Sequence, residues 1–335
     1  MRCDKRWAAM LIVLFCAAPT LQSSEDTSLV YRKKYIMGTV FEIAAYQDSS
    51  QDVSDAIEKA FREVVRIDDL FSNYKPESAL STLNRSAHLS TKRVPSDLYL
   101  VIEKAVELSK VSEGKFDISI APLVNLWKVA LSGEATPTAA QEREVRDCVG
   151  YEKIVLTPPD QITFRSPCLQ LDLGAIGKGY AVDRAGEILR ASGVRDALIN
   201  AGGSTIFAMG SPPGQSAWLV HLRDPSRQID PYVMLKDESV STSEQSLASL
   251  LGQDSPGHII DPVTGRPLKT EFSVSVIAPN GTMSDGLSTT LLLLGPEKGK
   301  SLMKSMQGVS AIWISPKAQM ENVMSGPQIL FGKRL

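Results

Sequence analysis

Apolar residues recur at intervals of three and four over Val53, Ala56, Ile57, Ala60, Phe61, Val64 and Val65, and again over Leu98, Val101, Ile102, Ala105 and Val106. That spacing puts each set on one face of a helix, so both stripes predict core-facing helices. A third helical segment opens at Ser284 and carries Leu291 and Leu294. Short apolar runs, many bounded by Pro or Gly, lie at Val40–Ala45, Ile154–Leu156, Ile162–Phe164, Leu169–Leu173, Ala197–Ile199, Trp218–Leu222, Val274–Ile277 and Ala311–Ile314. These predict strands. Helices clustered between short strands, without an internal repeat, imply an α+β fold with mixed, largely antiparallel sheets flanked by helices. Ser132 to Ala140 reads as an exposed insertion and Gly210–Gly214 as a hairpin turn, and neither divides the chain.

Three blocks carry candidate chemistry. In Leu171–Asp183 an apolar run enters a loop with Gly174, Gly177 and Gly179, and a helix follows. Such a junction suits phosphate, because glycines admit a close ligand and the first amides of a helix lack intrahelical partners. Lys178 adds a positive charge. The spacing is neither the Rossmann nor the P-loop pattern, and a purely structural turn is the alternative. Gly257–Pro267 packs His258, one of three histidines, with Asp261-Pro262 and Thr264-Gly265, which also fit an ordinary hairpin connection. In Ser284–Thr290, Asp285 and Thr289 stand four residues apart on one helical face. Their oxygens suit a hard cation such as Mg²⁺, while a helix cap at Ser284 or Asp285 is the alternative.

With 335 residues and 43% hydrophobic content the chain can bury a large core. The balance of 36 basic against 38 acidic residues gives no surplus for nucleic acid. At the N-terminus, Arg2, Lys5 and Arg6 precede the apolar run Ala8 to Ala18, which reads as a secretory signal over residues 1–22. Its removal would bring the net charge from −2 to about −4. Cys16 offers a lipidation site, although Phe15 is bulky where a lipobox has a small residue. A soluble periplasmic protein and a retained N-terminal anchor are the other outcomes. Cys148 and Cys168 remain in the mature chain, and two separate buried thiols are expected in preference to a disulfide.

Together the three blocks resemble the ApbE family, the FAD:protein FMN transferases of bacterial envelopes. The resemblance extends to Tyr35–Val40, Phe71–Leu80 with Leu83-Asn84, Gly114–Ser119, Ala121–Trp127 and Asn200–Gly203, in one domain over residues 30–330. It implies Mg²⁺-dependent transfer of FMN from FAD to a threonine or serine hydroxyl of a target envelope electron-transfer flavoprotein, with release of AMP. By family match Asp285, Thr289 and the carbonyl of Ala175 would hold Mg²⁺. Met37, Tyr74, Phe116, Asp117, Ser119, Gly177, Lys178 and Ile259 would contact FAD, with Tyr74 as a stacking ring. His258 would bind or deprotonate the acceptor hydroxyl.

Tyr74 has a structural alternative as a core aromatic and Asp117 as a turn cap with Ser119, while Asp172, Asp183 and Asp261 read either as residues that orient the metal ligands or as helix and turn caps. Trp127 and Trp218 read as packing, His88 and His221 as surface or structural. The chain departs from the family pattern at Ser204, where an acidic residue is usual, and at Glu244, where the family's Thr-Ser-Gly has glycine. An Mg²⁺-dependent FAD pyrophosphatase giving FMN and AMP, and a non-catalytic periplasmic FAD-binding protein, are therefore the competing expectations.

Overall fold

The computed structural model describes residues 27–47, 52–131, 136–245 and 258–332. The expected signal segment, Cys16, Gly257 and the first part of the expected insertion lie outside them. In chain order the elements are β1 Ser28–Ile36, β2 Thr39–Gln47, α1 Ser54–Phe71, α2 Ala79–Ser86, β3 Lys92–Arg93, α3 Ser96–Val111, α4 Ala121–Leu131 and α5 Ala139–Arg146. Then come β4 Ile154–Thr157, β5 Gln161–Phe164, α6 Gly177–Ala191, β6 Ala197–Ala201, β7 Thr205–Met209, β8 Trp218–His221, β9 Pro231–Leu235 and β10 Glu238–Glu244. The last are β11 Ile260–Asp261, β12 Arg266–Pro267, β13 Ser273–Ala278, α7 Gly281–Met303, β14 Ser310–Ile314, β15 Met320–Met324 and β16 Ile329–Phe331.

Eight strands form one antiparallel sheet in the order β1-β2-β6-β7-β10-β13-β14-β15. Helices and a small sheet cover opposite faces of it, which is why its inner strands are buried on both sides. In β13, Val274, Val276 and Ala278 pack with Leu287, Leu291 and Leu292 of α7, while Ile277 joins Trp218, Val220, Val233 and Leu235 of β8 and β9. Phe41 and Ile43 of β2 meet the apolar stripes of α1 and α3 in the largest core cluster. The α1 stripe is core except at Val65, which is 41% exposed. Val64 already faces inward, and a neighbour 100° around the helix does not.

Leu169–Leu173 is not a strand. Leu169, Leu171 and Leu173 do alternate into the core. The backbone makes only one isolated parallel bridge, Ile120 with Gln170, because Asn84 takes both the amide and the carbonyl of Leu171. The expectation of separate thiols is also corrected: Cys148 and Cys168 form a disulfide, 20 residues apart in sequence. It ties the segment after α5 to the chain leading into α6. The described end of the expected insertion is helix start, where Thr138 and Gln141 make a capping box for α5.

Candidate functional site

The N-termini of α6 and α7 meet at the site, and each helix caps the other. Asp183 of α6 accepts from the amides of Gly281 and Thr282 at 2.6 and 2.8 Å and from the Thr282 hydroxyl at 2.6 Å. Asp285 of α7 accepts from the amide of Gly179 at 2.8 Å. These are first-turn donors with no partner in their own helix, and Ile176 at the N-cap of α6 offers no side-chain acceptor. Burial pushes the Asp183 carboxyl above the ordinary aspartate range, although its three donors pull the other way.

The glycines divide their roles. Gly174 lies in the turn before α6, where its amide donates to Asp172 Oδ1 at 2.7 Å. Gly177 and Gly179 belong to the helix itself, which corrects the reading of a loop holding all three. A Cβ on Gly179 would stand 2.5 Å from the Gly281 carbonyl carbon and 2.7 Å from Asp285 Cβ, so this glycine lets the two helices touch. At Gly177 an added Cβ would meet Phe71, Met37 and Leu173 at ordinary contact distances of 3.6, 3.7 and 3.8 Å. Met37, in the β1–β2 turn with φ 53°, is thereby brought against the start of α6.

Asp285 is only 4% exposed, and its second oxygen accepts from Thr205 Oγ1 at 3.2 Å. Among the described residues no lysine, arginine or histidine pairs with it. One turn on, Thr289 Oγ1 lies 3.0 Å from Ser243 Oγ, which also meets Ser288 Oγ at 2.8 Å. Each Asp285 oxygen has used one hydrogen bond and keeps acceptor capacity. A carboxylate with a hydroxyl one turn away, and the Ala175 carbonyl in the turn before α6, is an all-oxygen set of the kind that hard cations take. Among the described residues no three His, Cys, Asp or Glu side chains converge.

His258 stands two residues before a small hairpin, β11–β12, so the loop forms a hairpin connection with the histidine at its entry. Its surroundings lower its pKa below the usual histidine value, first by desolvation and then by the charge of Lys178, which ties the loop electrostatically to the start of α6. The Lys178 ammonium rests 3.1 Å from the Gly174 carbonyl. Ile259 is held by Gln245: its amide donates to Oε1 and its carbonyl accepts from Nε2, both at 3.1 Å. Asp261 pairs with Lys115 at 2.9 Å and caps its own turn through the Val263 amide, and Trp127 Nε1 donates to the Gly265 carbonyl at 2.8 Å.

Tyr74 is 83% exposed, so it is no core aromatic, and the Lys128 ammonium lies 5.1 Å from its ring centre. The chain next to it is anchored, since Asn84 Nδ2 reaches both Asn73 Oδ1 at 3.2 Å and the Leu171 carbonyl at 3.0 Å. Phe116, Asp117 and Ser119 are buried. Asp117 Oδ1 accepts from the Ser119 amide and hydroxyl at 2.7 Å each, and Oδ2 accepts from the Tyr151 amide at 2.9 Å. Burial pushes the Asp117 carboxyl up. This turn supports the site from below, because the Ile118 carbonyl accepts from the Asp172 amide at 2.7 Å. Of the other histidines, His221 pairs with Asp230 at 3.0 Å, and His88 Nδ1 is buried without a partner among the described residues.

The sequence reading passed over Thr205, Ser241 and Gln245. A signal was present: Ser239, Ser241 and Ser243 alternate along β10 and face Ser284 and Ser288, which are spaced four apart on α7. Period-two serines opposite period-four serines mark a polar seam between a strand and a helix. Glu244, at the end of β10, pairs with Arg223 at 2.9 Å, and burial holds its carboxyl above the ordinary glutamate range despite that arginine.

Comparison with known proteins agrees with this architecture. A curated relative from Treponema pallidum, named FAD:protein FMN transferase, is 30% identical over 328 residues, covering 92% of this chain and 90% of its own. One from Klebsiella pneumoniae with the same name is 30% identical over 81% of this chain and 85% of its own. The solved flavin transferase ApbE of Vibrio cholerae superposes with a TM-score of 0.77 at 25% identity, over 91% of this chain and 97% of its own. The apo flavinyl transferase ApbE of Pseudomonas stutzeri gives 0.78 at 26%, over 89% and 94%. The ApbE family model matches residues 37–313, and the chain belongs to that family.

Proposed function

We propose that this chain is an FAD:protein FMN transferase that cleaves the FAD pyrophosphate, passes FMN to a threonine or serine hydroxyl of an envelope electron-transfer flavoprotein and releases AMP. The observation that carries this is the buried Asp285 carboxylate, held by the Gly179 amide at the start of α6 and without a basic partner among the described residues, in a chain whose relatives bear that activity in their names. The acceptor oxygen attacks the FMN phosphorus, the bond from that phosphorus to the AMP oxygen breaks, and AMP leaves as the phosphate monoester. The acceptor's proton passes to His258, whose lowered pKa keeps its imidazole neutral at pH 7 and able to receive it.

Lys178 supplies positive charge to the pyrophosphate, and the exposed face of Tyr74 offers a stacking surface for a ring of FAD. Met37, Gly177, Phe116, Asp117, Ser119 and Ile259 would complete the contacts to FAD. Asp285, Thr289 and the Ala175 carbonyl would hold Mg²⁺, which when bound offsets the charge that grows on the pyrophosphate. The Cys148–Cys168 disulfide supports an oxidising compartment, in keeping with the apolar segment Ala8 to Ala18 and a periplasmic location. Attachment through Cys16 or a retained N-terminal segment would give membrane-bound forms. The ion pair of Glu244 with Arg223 favours a second reading, a pyrophosphatase in which water replaces the acceptor, because it fills a position where the family carries glycine.

AMP release across an Mg²⁺ titration tests the assignment. Asp285→Ala removes the only formal charge among the proposed ligands and should abolish release, whereas Thr289→Ala should raise the Mg²⁺ requirement and be rescued by excess metal. A folded Asp285→Ala protein with normal turnover at low Mg²⁺ would refute it.

A further inference from the structure

Three hydroxyls stand in line behind the Asp285 carboxylate. Thr205 Oγ1 is 3.2 Å from Asp285 Oδ1, Ser241 Oγ is 3.1 Å from Thr205 Oγ1, and Ser284 Oγ is 2.7 Å from Ser241 Oγ. All three side chains are buried. An ionised carboxylate only accepts hydrogen bonds, so Thr205 gives its one proton to Asp285. Ser241 then gives its proton to Thr205, and Ser284 can supply Ser241. The O–H groups of Thr205 and Ser241 point toward the carboxylate and the second strengthens the first, while Ser284 divides its one proton between Ser241 and the Gly281 carbonyl 3.1 Å away. On the other side the Gly179 amide holds Oδ2. With one donor fixed on each oxygen, rotation of the carboxylate about its Cβ–Cγ bond is blocked.

We propose that Thr205, backed by Ser241 and Ser284, is a positioning residue that sets the carboxylate plane of Asp285 for divalent-cation binding. This rests on the Mg²⁺ reading of the site. The seam also has a member that separates positioning from packing. Ser239 is equally buried, donates to the Ile206 carbonyl at 2.8 Å and lies 3.0 Å from Ser284, yet stands at the far end of the row from Asp285. A packing role would make Ser239 and Ser241 equivalent. A positioning role grades them by their distance from the carboxylate.

The test measures Mg²⁺ binding to the full chain by calorimetry without FAD, alongside the Mg²⁺ concentration that half-saturates AMP release. Thr205→Val, which exchanges the hydroxyl for a methyl of similar size, should weaken Mg²⁺ binding about tenfold, the usual scale for losing a group that orients a metal ligand. Thr205→Ser should restore it to about twofold of wild type. Ser241→Ala should weaken it about threefold and Ser239→Ala should leave it unchanged, which keeps the test open if Thr205→Val does not fold. Wild-type affinity in folded Thr205→Val, or equal losses in the two serine variants, would overturn the positioning role. If wild type itself neither binds Mg²⁺ nor needs it, the metal reading has failed instead.

Discussion

Gly179→Ala is the sharpest perturbation that the α6–α7 contact offers. The new Cβ would sit 2.5 Å from the Gly281 carbonyl carbon, which is helical backbone, and 2.7 Å from Asp285 Cβ, which is bonded directly to it. Carbon atoms pack at about 3.5–4.0 Å, so the helices would have to part by about 1 Å. Overpacking of that kind costs about 1–3 kcal/mol. The 2.8 Å bond from the Gly179 amide to Asp285 would lengthen with it, and a buried bond to a charged group is worth about 1.5–3 kcal/mol. The expected loss is about 3–5 kcal/mol, a large part of a typical folding free energy, with AMP release falling as Asp285 moves. Gly177→Ala is the control. Its Cβ would meet Phe71, Met37 and Leu173 at 3.6 to 3.8 Å, and stability should stay within about 1 kcal/mol of wild type. Urea denaturation of both variants, with AMP release at saturating FAD and Mg²⁺, reads the contrast. Equal stabilities for the two variants would refute the close-contact role of Gly179.

Two further outcomes follow from the site's surroundings. Desolvation and Lys178 lower the His258 pKa, so the base is lost as pH falls through that lowered value; Lys178→Met should let the pKa rise and move the acid limb of the single-turnover pH profile to higher pH. An unmoved limb would remove His258 or its coupling to Lys178 from the chemistry. Paired Cys148→Ser and Cys168→Ser changes open a disulfide that closes a 20-residue separation, and should cost about 3 kcal/mol, seen as a lower melting temperature that reducing agent no longer affects.

Much of the frame was legible because it rests on periodicity. The α3 stripe, the α1 stripe apart from Val65, the inward-facing positions of β2 and β6 and the apolar runs of β13 and β14 became core, since burial of a helical or alternating face is what those patterns encode. The strands β7, β9 and β10 were not named. In β10 the serines that make it polar are buried against α7, where they bond to other hydroxyls instead of water. Asp183, open in the sequence between cap and metal support, is a cap, and its partners lie 98 and 99 residues away in the chain. Gly179 is the clearest lesson. Its local setting suggested room for phosphate, while its need for a missing Cβ comes from Gly281 and Asp285, which no local pattern relates to it. The disulfide was hidden for the same reason, because pairing of Cys148 with Cys168 depends on the path of the chain between them.

The most direct measurement is a single incubation of the protein with FAD, Mg²⁺ and an acceptor domain from an envelope electron-transfer flavoprotein, followed by mass spectrometry of the acceptor and quantification of AMP. The account predicts FMN bound covalently to one threonine or serine of the acceptor, with AMP released in equal amount. Free FMN and AMP with an unmodified acceptor, or intact FAD, would contradict it.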